Sequence, residues 1–269
     1  MSTSTRHRPR TPAKTRAPRS VPLWPIGVTA LVAVAVIAMA ALLPGTRHGR
    51  PPAAAPAPPV TAVAATIDGQ DIPVRELALY LAQERAATFA HFRQKFGAED
   101  GPGFWTTEHD GRTPAAYLRE RALADVTRVT VALHLAHDQG LLADSGYDAF
   151  LRNWQTENAR RRTAVAAHQV IYGPVQYTES NYFTYVLSNL AAALRDRLTH
   201  TQAIPTPDSA LRSWFTTHRA DFPHQSFTTA HDQIRQSYVL DRYRALIDHL
   251  AKSAHVHVHH KVFDAVPVV

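Results

Sequence analysis

The chain has 269 residues, 29 Lys and Arg against 22 Asp and Glu, and no cysteine. Six of those basic residues precede position 20, where no acid stands, which leaves 23 against 22 in the remainder. The basic excess therefore sits in one tail, which argues against a nucleic-acid-binding body. The missing cysteines exclude a disulfide framework, a thiol nucleophile and a lipid-modified N-terminal anchor.

Residues 1–20 form the cationic tail, with Arg6, Arg8, Arg10, Lys14, Arg16 and Arg19. Residues 21–43, VPLWPIGVTALVAVAVIAMAALL, carry no charge. As a helix they extend about 34 Å, enough for a hydrocarbon layer of about 30 Å. Pro22 and Pro25 lie where a helix start tolerates proline, and Trp24 suits the interface. The positive-inside rule then predicts a single-pass cell-membrane protein with a cytoplasmic N-terminus and an extracytoplasmic C-terminal domain. The alternative is secretion after signal-peptide cleavage. Ala38-Met39-Ala40 is a small-x-small site, but it lies inside the apolar run.

Residues 44–62, PGTRHGRPPAAAPAPPVTA, are rich in Pro and Ala. They have too few bulky apolar residues for a core and predict an extended spacer. Residues 63–269 are long enough for one core or two small lobes.

Val63–Pro73 predicts a strand, an Asp68-Gly69 turn and a short strand. A helical stripe follows through Val74, Leu77, Leu81, Phe89, Phe92 and Phe96, and Gly97 ends it. A glycine-rich loop, 97–112, holds Phe104 and Trp105. Thr113-Pro114 signals the cap and first residue of a helix that runs to Gly140. Ser145 with Asp148 opens another through Trp154, and Thr178 opens one through Tyr182 to Leu198. Thr206-Pro207 repeats the cap-plus-proline signal before Leu211 and Trp214. A long helix runs from about Thr228 to Leu250. His255-Val256-His257-Val258-His259 alternates and predicts a strand, valines inward and histidines outward. The fold class is mainly α, and the strands at its two ends are expected to pair, because an isolated strand leaves backbone groups unpaired.

This order of elements resembles the SurA/PrsA-like extracytoplasmic foldases, the trigger-factor/SurA peptide-binding domain found with parvulin isomerases. The resemblance rests on ATIDGQDIPVRELALYL (65–81), LHLAHDQGLLAD (133–144), DSALRSWFTTHRADF (208–222) and AHVHV (254–258), in that order. It implies a helical chaperone domain that binds unfolded or exported polypeptides. In the family the parvulin domain follows the third segment. Here Phe222 runs almost at once into the last long helix, so the catalytic domain has no place. No catalytic residue of the family carries over and no cofactor is implied. The expected function is a membrane-anchored chaperone without isomerase activity. The alternatives are a prolyl isomerase with residual activity and an interaction module for one envelope partner.

The peptide-binding candidates are Phe104, Trp105, Tyr172, Tyr177, Tyr182 and Phe183, because aromatic rings offer large contact area at low entropic cost. The competing reading makes the loop pair a plug on the bundle and the tyrosines the core face of their helix. His255 and His257 are weak metal candidates. Alternate strand residues sit about 6.6 Å apart, so two histidines can share an ion, but no acid lies near in sequence. Arg160-Arg161-Arg162 reads as a solvated helix face. No G-x-S-x-G, H-E-x-x-H, P-loop or G-x-G-x-x-G occurs.

Overall fold

The computed structural model describes residues 56–268. The expected cationic tail, membrane span and most of the Pro/Ala spacer lie outside them. Among the described residues no helix is long and apolar enough to cross a membrane.

Among the same residues there are seven α-helices and one three-stranded antiparallel sheet. Strands β1 (Val63–Ile67) and β2 (Gln70–Pro73) form a hairpin. Its turn places Asp68 at φ 47° and Gly69 at φ 82°, the left-handed region that Asp-Gly accommodates. Strand β3 (Val256–Val258) lies on the other side of β1, so the sheet order is β2-β1-β3 and the two ends of the domain pair as expected. The Asp68 carboxylate also accepts the His255 N–H at 2.8 Å, which fastens the turn to the incoming strand.

Helix α1 (Val74–Phe96) starts directly after Pro73 and stops at Gly97, whose φ of 66° closes the last turn. Helix α2 (Pro114–Asp138) has Pro114 in its first turn, and the Thr113 hydroxyl accepts the Ala116 N–H. Helices α1 and α2 run antiparallel, tied by Glu84–Arg121 at 3.0 Å. Helix α3 (Tyr147–Ala166) begins after Gly146, and Ser145 is drawn instead to Gln70. Helix α4 (Glu179–His200) is capped by Thr178 as expected.

Helix α5 (Asp208–Thr217) departs from expectation at its cap. Pro207 holds that position and no side chain caps the helix, so Thr206 plays no part in it. Arg219–Asp221 then form a 3₁₀ turn and Phe222 is buried at 1% exposure. No lobe intervenes before helix α6 (His231–Ser253), which starts three residues later than the pattern implies. The delay comes from a turn in which the Ser226 hydroxyl accepts the Thr229 N–H. After β3, the short helix α7 (His260–Phe263) turns the chain back so that Phe263 and Val266 enter the core.

Two apolar clusters result. One joins the sheet to α1 and the first half of α2, with Ile67, Leu77, Tyr80, Leu118 and Val126, and takes Phe183 from α4. The other packs the end of α4 with α5 and α6 around Leu198, Leu211, Phe222 and Ile234. Helix α2 links them, since Val126 belongs to the first and Ala136 to the second.

Candidate functional site

Helices α3 and α4 form a hairpin whose connecting loop, 167–178, displays apolar side chains. Val170 is 82% exposed and Tyr172 is 88% exposed. Val165 at the end of α3, Val175 in the loop and Tyr185 on α4 are exposed as well. These five are the majority of the large exposed hydrophobic residues among the described ones. Single exposed apolar residues need no explanation, but three within the six loop positions 170–175 form a group that does.

The loop is held from within by polar groups. Arg161, with 6% of its surface exposed, donates to the Tyr172 carbonyl at 2.9 Å and to the Pro174 carbonyl at 2.6 Å. Its Nε donates to Glu157 at 2.8 Å, and its guanidinium lies over the Tyr177 ring at 4.4 Å. The side-chain amide of Asn158 pairs with both backbone groups of Tyr177, at 2.8 and 2.9 Å. The Trp154 indole donates to the same carbonyl at 2.9 Å. Gly173, at φ 83°, makes the bend that turns two carbonyls toward one guanidinium. The arginine bonds of Arg160 and Arg161 hold the Glu157 carboxyl below the usual carboxylate range. The reading of all three arginines as a solvated face is therefore corrected for Arg161, because the carbonyls it satisfies outweigh the loss of water around its charge.

From this loop a row of rings leads inward. Tyr177 stacks on Tyr185 at 5.5 Å and meets Tyr182 at 5.5 Å. Tyr182 meets Phe150 at 5.7 Å, Phe150 meets Phe183 at 5.3 Å edge-on, and Phe183 meets Tyr80 at 5.5 Å. Along this row opens a crevice of about 70 Å³. Its lining includes Leu133, Phe150, Phe183 and Leu187, with Asp144 and Glu76 as its carboxyls. Glu76 is 2% exposed and its Oε2 has no hydrogen-bond partner. Burial pushes its carboxyl up to about 8. Nearby, Tyr147 donates to Glu179, which also pairs with Arg75 at 3.0 Å. Burial and that bond raise the Tyr147 hydroxyl. A wider hollow of about 770 Å³ between α4 and α6 is lined mainly by polar residues such as Arg195, Thr199 and Arg235.

The six candidate aromatics divide. Tyr172 is on the surface, and Tyr177 is half-buried beneath it. Tyr182 and Phe183, at 8% and 3% exposure, are wall residues of the crevice and part of the packing. Phe104, at 5%, is removed from the surface by Phe89 and Phe92, with ring centroids 4.9 and 6.3 Å away. Trp105 packs on the first cluster with Arg85 over its ring. The loop pair is thus a plug, remote in the chain from the exposed group.

The histidines part as well. Val256 and Val258 pair with Ile67 and Ala65 on the core side of the sheet, as alternation predicts, yet Val256 keeps 40% exposure because β3 is an edge strand. His255 lies within 3.5 Å of Asp68, and His257 meets the ring of His259 at 4.8 Å. Among the described residues no group of three or more His, Cys, Asp or Glu is placed to hold a metal. Sequence reasoning missed Arg161, Asn158 and Glu76 as site residues.

No family model matches the chain, and no solved structure matches it. A curated protein from Bifidobacterium longum subsp. longum, named Chaperone for lacto-N-biosidase, is 26% identical over 119 residues. The match covers 44% of this chain and 42% of that protein, so less than half of each is compared.

Proposed function

We propose that this chain is a membrane-anchored extracytoplasmic chaperone that binds an exported client polypeptide at the end of the α3–α4 hairpin, without catalysing prolyl isomerisation. The observation that carries the reading is the exposed group Val170, Tyr172 and Val175 on a loop fixed by buried polar bonds, with Val165 and Tyr185 exposed on the helices that flank it. A surface that must bind apolar segments reversibly gains from being rigid, because little ordering entropy is then lost on contact. The name of the similar Bifidobacterium protein supports a chaperone role. The anchoring half of the proposal rests on the uncharged run 21–43 and the basic tail before it.

Two features support binding without isomerase chemistry. Phe222 passes into α6 through a short turn, and the resemblance to SurA/PrsA-like foldases places the parvulin domain at that point. The test uses the full-length chain with an unfolded exported protein. It should slow that protein's aggregation at equimolar ratio and give no rate above background on a proline tetrapeptide. Unchanged aggregation for every exported protein tried would reject the chaperone role. Measurable isomerase turnover would reject the second half.

The similar protein is named for one enzyme client, which makes a narrow client range the second reading. Crosslinking in cells then yields one stoichiometric partner. A broad ladder of partners would mark a general holdase instead.

A further inference from the structure

The Glu76 carboxyl has one feature that client binding at the hairpin tip leaves unused. It sits on the first turn of α1, where a carboxylate at a helix start is normally exposed and favoured by the helix dipole. Here α3 and α4 close over it, its Oε2 finds no donor, and it lines an apolar crevice. The Tyr80 hydroxyl, one turn further along α1, is buried without a partner too. A buried polar atom without a bond costs on the order of 1–3 kcal/mol, so a chain that places one beside open space leaves an acceptor for something that enters.

We propose that this crevice binds a primary alkylammonium group, the lysine side chain of a bound polypeptide, with the apolar walls around its methylene shaft and Glu76 against its charged end. Three observations converge on that chemistry. The walls from Leu133, Phe150, Phe183 and Leu187 suit methylenes, and the polar side chains of the same lining, Ser145, Tyr147, Asn153 and Tyr182, leave the Glu76 Oε2 without a hydrogen bond. A second carboxyl, Asp144, lines the same crevice. A compact ammonium is also smaller than a guanidinium and suits a space of about 70 Å³. The groups that face Glu76 are Tyr80 on α1, Tyr147 on α3, Tyr182 on α4 and Asp144 before α3, with Asp125 of α2 beyond Tyr80. Arg75, the neighbouring cation, acts on Tyr147 together with Glu76, but its guanidinium is taken by Glu179 and it leaves the Glu76 Oε2 without a bond. The lysine source rests on the chaperone reading above; the ammonium chemistry does not.

Binding has a proton signature. With its carboxyl up to about 8, Glu76 is mostly protonated at pH 7. An ammonium against it stabilises the carboxylate, so the proton leaves as the ligand enters. The amine itself stays charged, its pKa being about 10.

The experiment titrates n-hexylamine and 1-hexanol into the full-length chain by calorimetry at pH 7, in two buffers of different ionisation enthalpy. A second arm compares a lysine tripeptide with its norleucine counterpart. Hexylamine should bind at least tenfold more tightly than hexanol and release close to one proton per molecule. The lysine peptide should bind more tightly than the norleucine one by a similar factor. Glu76→Gln should remove the advantage of the amine and leave hexanol unchanged. Equal affinities, no binding by either compound, or amine binding without proton release would overturn the proposal, and the proton count on the wild-type chain decides it even if the variant does not fold. No client protein enters the test, so its failure leaves the aggregation result of the proposed function untouched.

Discussion

Arg161 and Glu76 are buried almost equally, at 6% and 2% exposure, and they are opposites in every other respect. The arginine lies under the hairpin tip and reaches two carbonyls, a carboxylate and an aromatic ring. The glutamate lies at the other end of the same aromatic row and has an oxygen with no partner at all. A buried charge with a full set of partners is a structural clamp. A buried carboxyl without them keeps its proton and leaves an acceptor unused. The tip is thus stabilised to present apolar side chains, while the crevice is left incomplete at its floor.

Removing the clamp is the strongest way to break this contrast. Arg161→Ala strands the Tyr172 and Pro174 carbonyls and should cost about 3 kcal/mol by urea unfolding. Limited proteolysis should then cut within 168–177 faster than in the wild-type chain. Phe263→Ala tests the far end of the first cluster, and loss of that buried ring should also cost about 3 kcal/mol. An unchanged unfolding midpoint would mean that the chain's return through α7 adds nothing to closure of the sheet.

The floor should respond in the reverse direction. Glu76→Gln should raise stability by about 1–2 kcal/mol at pH 8, because the wild-type chain must there either hold a proton that its unfolded form has released or carry a buried charge without a partner. The pH dependence follows from the same group. Its folded value is raised from 4.5 to about 8, so between those limits the unfolded chain has released a proton that the folded chain still holds. Stability therefore falls as pH rises through that window and levels off above about 8. Urea midpoints at pH 5.5 and pH 8 should show the fall in the wild-type chain and a smaller one in Glu76→Gln.

The smallest expected stability effect is at the tip surface. Serine at Val170, Tyr172 and Val175 together should shift the unfolding free energy by less than about 0.5 kcal/mol, since these side chains face water. The same triple change should abolish suppression of client aggregation. A large loss of stability would place these residues in the packing and remove them from the binding surface.

Local signals in the chain were legible wherever the physics is local. The Asp68-Gly69 turn, the Thr113 and Thr178 caps and the Gly97 stop each depend on a few neighbouring residues, and each stands where the pattern puts it. The pairing of the two ends followed from the need of a strand for a partner. Arg161 was illegible because its run, Arg160-Arg161-Arg162, reads as a charged face, and only the return of the chain eleven residues later brings carbonyls to its middle member. Glu76 was illegible for a related reason. Its helix position suits an exposed acid, and its burial depends on α3 and α4, some seventy to a hundred residues downstream. Phe263 and Val266 follow the last strand, where nothing local marks a return to the core.

A photo-crosslinker placed at single positions reads directly what touches the hairpin tip. One full-length chain carries a benzophenone amino acid at Tyr172 and another carries it at Asp232, whose side chain is 98% exposed on α6. Each is irradiated with an unfolded exported protein. Covalent capture is expected from position 172, with little from 232. Equal capture from both, or capture from 232 alone, would contradict client binding at the hairpin tip.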